Sequence, residues 1–328
     1  MRVITYEEIL ENESKYIFVD VRTPFEYNNA TIPESFNIPI LDDNEYKIVG
    51  TIYKKEGRKQ ATKEALRLFG PKLLNIYVKF EELLKYEREI IIFCYRGGMR
   101  STTIVNLLET LAIPVLKLDL GYKQYRKHVI NNLDKLILNK HFVTLCGNTG
   151  VGKTEILYKL KYDYLDLEKY ANHRGSILGH VGLGEQNSQK MFESYLYDGL
   201  RKTSKLVIVE GESRRIGKII LPNVLYDCIH NGEIITITTN IENRIKRIKD
   251  EYVGNNDNDG EIELALNRLR KYINDADIDE YINLLNNRDY DGIIKNLIEK
   301  YYDKNYASKL QINNTLIDYK DINDAKKR

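Results

Sequence analysis

The chain has 328 residues, 42% hydrophobic and 30% charged, which is long enough for two domains with real cores and too apolar for wholesale disorder. Fifty basic residues against 48 acidic ones leave a formal charge of +2, so no global field draws nucleic acid, and an RNA partner would be held by local basic patches. Three scattered cysteines without a Cys-x-x-Cys pair argue against a disulfide framework or zinc knuckle and for a reducing compartment. The start, MRVITYEEIL, lacks a signal-peptide core, and no run approaches the roughly 18 apolar residues that span a bilayer. A soluble, cytoplasmic protein without membrane contact is expected.

Taken in chain order, residues 16–21 read as the first strand, and 89–93 and 115–118 follow as short runs rich in Ile, Val or Phe. A helical pattern lies between the last two, over 101–111. An amphipathic stretch, VINNLDKLILNK, marks a boundary near 131–140, which divides the chain into domains 1–136 and 137–328. Strand 142–145, helix 154–160 and strands 206–209 and 233–238 open the second domain. After Ile241 strands give way to a charged helical pattern, broken by the loop composition GNNDNDG at 254–260. Ile262, Leu264, Leu266 and Leu269 then predict helices packing on that domain, and the last dozen residues read as frayed. Strand–helix alternation in both halves predicts an α/β fold with two parallel sheets.

Cys94-Tyr95-Arg96-Gly97-Gly98-Met99-Arg100-Ser101 reads as strand end, tight loop and helix start, with Cys-x5-Arg spacing. Such a loop can turn successive amides inward in front of a helix N-terminus. Those amides, with Arg96 and Arg100, favour the thiolate, so Cys94 is predicted to be a nucleophile. Gly97 and Gly98 permit close approach of a ligand to the backbone.

Gly147-Asn148-Thr149-Gly150-Val151-Gly152-Lys153-Thr154 matches G-x4-G-K-[ST] and stands between a strand and a helix, the context the motif demands. Its glycines let the backbone wrap a phosphate, Lys153 neutralises charge, and Thr154 could hold Mg²⁺ if a metal is used. The apolar run ending in Glu210, Gly211 and Glu212 stands where a nucleoside triphosphatase would carry an Asp. Hydrolysis of ATP is therefore not implied, and no metal site is firmly assigned.

Upstream of the cysteine loop, Val19-Asp20-Val21-Arg22-Thr23-Pro24-Phe25-Glu26-Tyr27, then Ala30-Thr31-Ile32-Pro33 and Asn37-Ile38-Pro39, complete a pattern that resembles a rhodanese domain. Ala30-Thr31 stands where that pattern usually has Gly-His. The resemblance implies that Asp20 and Arg22 are structural. Over nearly the whole chain, further runs resemble the tRNA 2-selenouridine synthase family. They are Asp42-Asp43, Val49-Gly50-Thr51-Ile52-Tyr53-Lys54, Asp166-Leu167-Glu168, Asn172-His173-Arg174-Gly175-Ser176, Val209-Glu210, Glu212-Ser213-Arg214 and Tyr301-Tyr302-Asp303.

The resemblance implies a transferase acting on the wobble 2-thiouridine in the anticodon of certain tRNAs. A geranyl group from geranyl diphosphate is first attached to the sulfur; selenium from selenophosphate then replaces the geranylated sulfur, giving 2-selenouridine. Cys94 would form an S-selanyl intermediate held by the loop amides and Arg100, and an enzyme supplying selenophosphate would be a partner. Placing geranyl diphosphate at the P-loop, with Lys153 on the leaving diphosphate, is the expectation carried forward. Further candidate substrate contacts are Arg96, Gly97, Gly98, His173, Arg174, Ser176, Glu210, Glu212 and Arg214. RNA-facing patches are sought at Arg244, Lys246, Arg247 and Lys249, at 54–59, and at Lys123–Lys127 with Tyr122 and Tyr125 available to stack on bases. Two other readings stay open: a Cys-x5-Arg phosphatase or sulfurtransferase fused to a nucleotide-binding domain, and an RNA-binding module with a P-loop switch.

Overall fold

The computed structural model describes residues 1–253, 258–306 and 315–319, in two units, Met1–Asn132 and Leu133–Arg328. The first unit is built on strands β1 (Arg2–Ile4), β2 (Tyr16–Asp20), β3 (Phe36–Asn37), β4 (Glu89–Phe93) and β5 (Val115–Leu118). They lie in the order β1-β5-β4-β2-β3 and pair in parallel throughout. Four of the five residues of β4 are buried, as expected of a central parallel strand covered on both faces. The covering helices are α1 (Tyr6–Leu10), α2 (Pro24–Asn29), α3 (Asp43–Glu56), α4 (Arg58–Phe69), α5 (Leu73–Leu83), α6 (Met99–Thr110) and α7 (Gly121–Leu138). Capping boxes start three of them: Thr5 with Glu8, Thr23 with Glu26 ahead of Pro24, and Asp42 with Glu45. Ile17, Val19, Ile90, Ile92, Ile104 and Leu108 carry the core.

The second unit repeats the principle with β6 (His141–Cys146), β7 (Tyr164–Leu165), β8 (Leu206–Glu210), β11 (Glu233–Thr238) and β12 (Thr315–Asp318), in the order β12-β11-β6-β8-β7 and all parallel; β9 (Arg215–Ile216) and β10 (Ile219–Ile220) form a separate antiparallel pair. Around the sheet run α8 (Lys153–Lys159), α9 (Leu167–Ala171), α10 (Gln189–Lys202) and α11 (Asn223–Asn231). A helical group, α12 (Ile241–Tyr252), α13 (Asp259–Leu269), α14 (Asp275–Asn286), α15 (Tyr290–Leu297) and α16 (Asp303–Tyr306), has its own core around Leu266, Ile278, Tyr281 and Ile298.

The predicted α/β class with two parallel sheets is the fold observed. Five predicted strands coincide with β4, β5, β6, β8 and β11 to within a residue at each end, and 16–21 overruns β2 by one. Of the predicted helical face, Ile262, Leu266 and Leu269 are buried in α13, whereas Leu264 is 61% exposed. The tail needs correction: Thr315–Asp318 is a strand beside β11, and Tyr319 is buried. Residues 254–257 of the predicted loop and the polar end from 320 lie outside the described residues. Among the described residues no helix is long and apolar enough to cross a membrane.

Candidate functional site

In the first unit, β4 delivers Cys94 into the turn that precedes α6. The residue is 3% exposed, and its Sγ lies 3.2 Å from Ser101 Oγ and 4.0 Å from the Gly98 carbonyl. The start of α7 fixes the turn from behind: the Tyr122 amide donates to the Cys94 carbonyl and the Lys123 amide to that of Tyr95, each at 2.9 Å. Gly121, at φ +59°, makes this possible, because a Cβ there would overlap the Cys94 carbonyl oxygen.

Arg100 differs from its predicted role. Its guanidinium pairs with both oxygens of Glu26 and lies 4.8 Å over the Tyr46 ring, so its charge reaches Cys94 as a field already partly neutralised. Arg96 is exposed beside the Tyr95 ring, and Gly97 and Gly98 shape the turn between them. Asp20 and Arg22 are fully buried partners, and Arg22 also donates to the Ala30 carbonyl. Thr31 Oγ1 donates to Asp20 at 2.9 Å, which explains how a threonine serves at that position of the rhodanese pattern. Tyr122 and Tyr125 cannot stack on bases: both are buried, Tyr122 under the Arg22 guanidinium at 4.2 Å.

In the second unit, residues 147–152 link β6 to α8, and Thr149, Gly150 and Gly152 line a cavity of about 520 Å³. Lys153 Nζ donates to the Gly147 carbonyl at 3.3 Å. The loop is clamped by distant residues. Arg244 donates to the Thr149 carbonyl at 2.9 Å and pairs with Asp303, Asp303 also accepts from Asn148, and the Tyr319 hydroxyl donates to the Val151 carbonyl. Arg244 is therefore a buried brace and not the RNA contact predicted for it. Arg247 faces Glu155 and lines the cavity, and Lys249 pairs with Asp291.

The same cavity holds Glu168, Glu210 and Glu212, whose carboxylate oxygens lie within 4.8 Å of one another. Gly175 admits them, since a Cβ there would come within 2.8 Å of Glu168 Oε1 and 2.9 Å of Glu212 Oε2. Burial first, then the neighbouring carboxylates, raises Glu168 well above the ordinary range. Glu210 is pushed up to about 7 by burial, against the pull of Lys153. Its Oε1 is buried with no hydrogen-bond partner. Hard oxygen donors in this number suit a divalent cation such as Mg²⁺, with Thr154 beside them.

Arg174 and Ser176 also line the cavity, Arg174 paired with Glu251 at 2.7 Å and Ser176 3.2 Å from the Tyr252 hydroxyl. His173 does not line it. Buried against His180, it has its pKa lowered to about 4, mainly by desolvation, and is neutral near pH 7. Arg214 lies outside the cavity, bonded to Asn223. Sequence reasoning gave no site role to Glu168, although it stood in a quoted run, and nothing local marked Glu251.

Two family models match the chain. One described as "tRNA 2-selenouridine synthase AAA domain" covers residues 140–325, and one described as "Rhodanese-like domain" covers 5–128. The tRNA 2-selenouridine synthase of Nitrosomonas europaea is 32% identical over 243 residues, which are 72% of this chain and 63% of that protein. That of Shewanella woodyi is 32% identical over 259 residues, 76% of this chain and 68% of that protein. The chain thus spans about two thirds of the length of the curated relatives it matches, and slightly less for the first.

Proposed function

Because the chain belongs to the tRNA 2-selenouridine synthase family, we propose that it modifies the wobble 2-thiouridine of tRNA in two steps, each served by one of its cradles. In the first, the base sulfur attacks C1 of geranyl diphosphate, the C–O bond breaks, and diphosphate leaves. The P-loop cavity supports this reading, since it offers loop amides, Lys153 and the Arg174 and Arg247 guanidiniums to a leaving diphosphate. Glu168, Glu210 and Glu212 would hold Mg²⁺, which supplies charge neutralisation to that group when bound. Without the cation, burial raises Glu210 to about 7, so a metal bound there would displace its proton.

In the second step the selenium of selenophosphate attacks C2 of the base, the C–S bond breaks and geranylthiol leaves, and water then cleaves the Se–P bond to release phosphate, with the Cys94 thiol at the site of this exchange. One observation bears most of the weight: a single chain joins a cysteine at a strand–loop–helix turn to a P-loop cavity lined by both cations and buried carboxylates. A Cys-x5-Arg phosphatase would need Arg100 turned onto a phosphoryl group, whereas Glu26 holds it. The test is mass spectrometry of tRNA nucleosides after incubation with geranyl diphosphate and selenophosphate, each omitted in turn. Lys153→Ala is expected to lose geranylation, while Cys94→Ser keeps geranylation and loses selenium transfer. Equal loss of both steps in both variants overturns the division.

A further inference from the structure

Beside the cysteine turn the first unit leaves an apolar cleft of about 240 Å³ between α3, α4 and the start of α6. Its walls include Tyr46, Val49, Tyr53, Ala65, Leu66 and Met99. Helix α3 is unusual in this setting: across its 14 residues it buries none. Helices of that length ordinarily hold together by covering one apolar stripe. Here Tyr53 and Leu66 are each 59% exposed, and Met99 is 53% exposed.

The cleft's surroundings restrict its occupant. Arg58 lines it, and Lys54, Lys55 and Lys59 stand exposed around the α3–α4 corner. Among the described residues none of these four cations makes an ion pair. A rim of four cations against the one carboxylate of Glu56, around a hydrocarbon floor, suits a polyanion that carries an apolar group. A volume below that of ordinary drug-sized pockets fits a chain rather than a folded partner. Met99 and Arg100, which open the helix directly after the Cys94 turn, belong to the same lining, so a group seated there lies beside the turn that presents the thiol.

We infer that this cleft seats the hydrocarbon chain of an S-alkylated wobble base while the base faces Cys94. The inference rests on the proposed function, and it adds a binding site to the cysteine unit rather than to the P-loop. It also gives α3 a physical role, as the wall whose apolar face is covered when substrate binds.

The experiment uses the full chain carrying Cys94→Ser to block turnover. Two synthetic tRNA anticodon stem-loops serve as probes, one with S-geranyl-2-thiouridine and one with S-methyl-2-thiouridine at the wobble position, titrated by fluorescence anisotropy at fixed salt. The geranyl loop is expected to bind on the order of 50-fold more tightly, the worth of about three buried methylene groups. Filling the cleft with Ala65→Phe, or with Thr62→Phe one turn earlier should the first fail to fold, is expected to bring the ratio close to one. Equal affinities in the unfilled protein, or a ratio that survives both substitutions, overturn the cleft assignment while leaving the RNA reading in place. Failure of both loops to bind overturns the RNA reading and the cleft with it.

Discussion

Glu210→Gln should stabilise the metal-free protein, and by an amount that depends on pH. Glu210 is 2% exposed at the end of β8, and burial beside Glu212 raises its carboxyl from 4.5 to about 7. Between those two values the folded chain keeps a proton that the unfolded chain has released. Stability from this group is therefore complete below about pH 4.5 and is lost as pH rises through about 7. At about 1.4 kcal/mol per pH unit, the folded state gives up roughly 3 kcal/mol once both forms are ionised, an order-of-magnitude figure. Glutamine has no proton to lose. The variant should gain little at pH 4.5 and about 2–3 kcal/mol at pH 8, so the two stability curves diverge across the window. Urea unfolding followed by far-ultraviolet circular dichroism in EDTA measures both curves. Glu168, also raised, leaves a residual slope in the variant. Parallel curves, or a variant less stable at pH 8, would refute the account of a carboxylate confined among carboxylates.

Three further outcomes follow from other parts of the structure. Arg244→Met removes the brace on the Thr149 carbonyl and leaves Asp303 with Asn148 as its remaining partner; with Asp303 one-third exposed, about 2 kcal/mol of stability should go. Inorganic diphosphate should also bind more weakly by calorimetry, and unchanged affinity would show that the loop holds its shape unaided. Gly121→Ala forces a Cβ toward the Cys94 carbonyl at φ +59° and should cost about 2 kcal/mol or more while altering the alkylation rate of Cys94 by iodoacetamide. Wild-type rates would contradict the role given to α7. Thr31→Val strips a donor from buried Asp20 and should destabilise the first unit by about 1–3 kcal/mol in urea, with a loss under 0.5 kcal/mol counting against it.

Both cradles could be read from the sequence because each is local. A strand end, a turn needing glycine and a helix start fall within a dozen residues, and the chemistry of Cys94 or Lys153 stands inside the run. The same locality misled where helical periodicity was not applied. Tyr122, Tyr125 and Val129 recur at helical spacing on the core face of α7, so a Lys-Tyr alternation that looked RNA-facing is half core. Arg244, Ile248 and Tyr252 recur at every fourth position, which turns the first cation of an apparent basic stripe inward with the two apolar residues. Glu168 and Glu251 join the cavity through contacts no local spacing encodes.

The P-loop shows why this matters for function. Its carbonyls are held by Arg244 and Tyr319, 95 and 168 residues further along the chain. A loop whose ligand is bound by backbone amides is only as well aimed as its carbonyls are fixed, because each peptide unit is one rigid plane. The motif supplies amides and an ammonium group. The braces supply their direction, and they come from α12 and from the residue after β12, elements whose own patterns say nothing about phosphate. The cavity's chemistry is thus partly a property of the helical group and the last strand, and substitutions there should alter diphosphate binding without touching the motif.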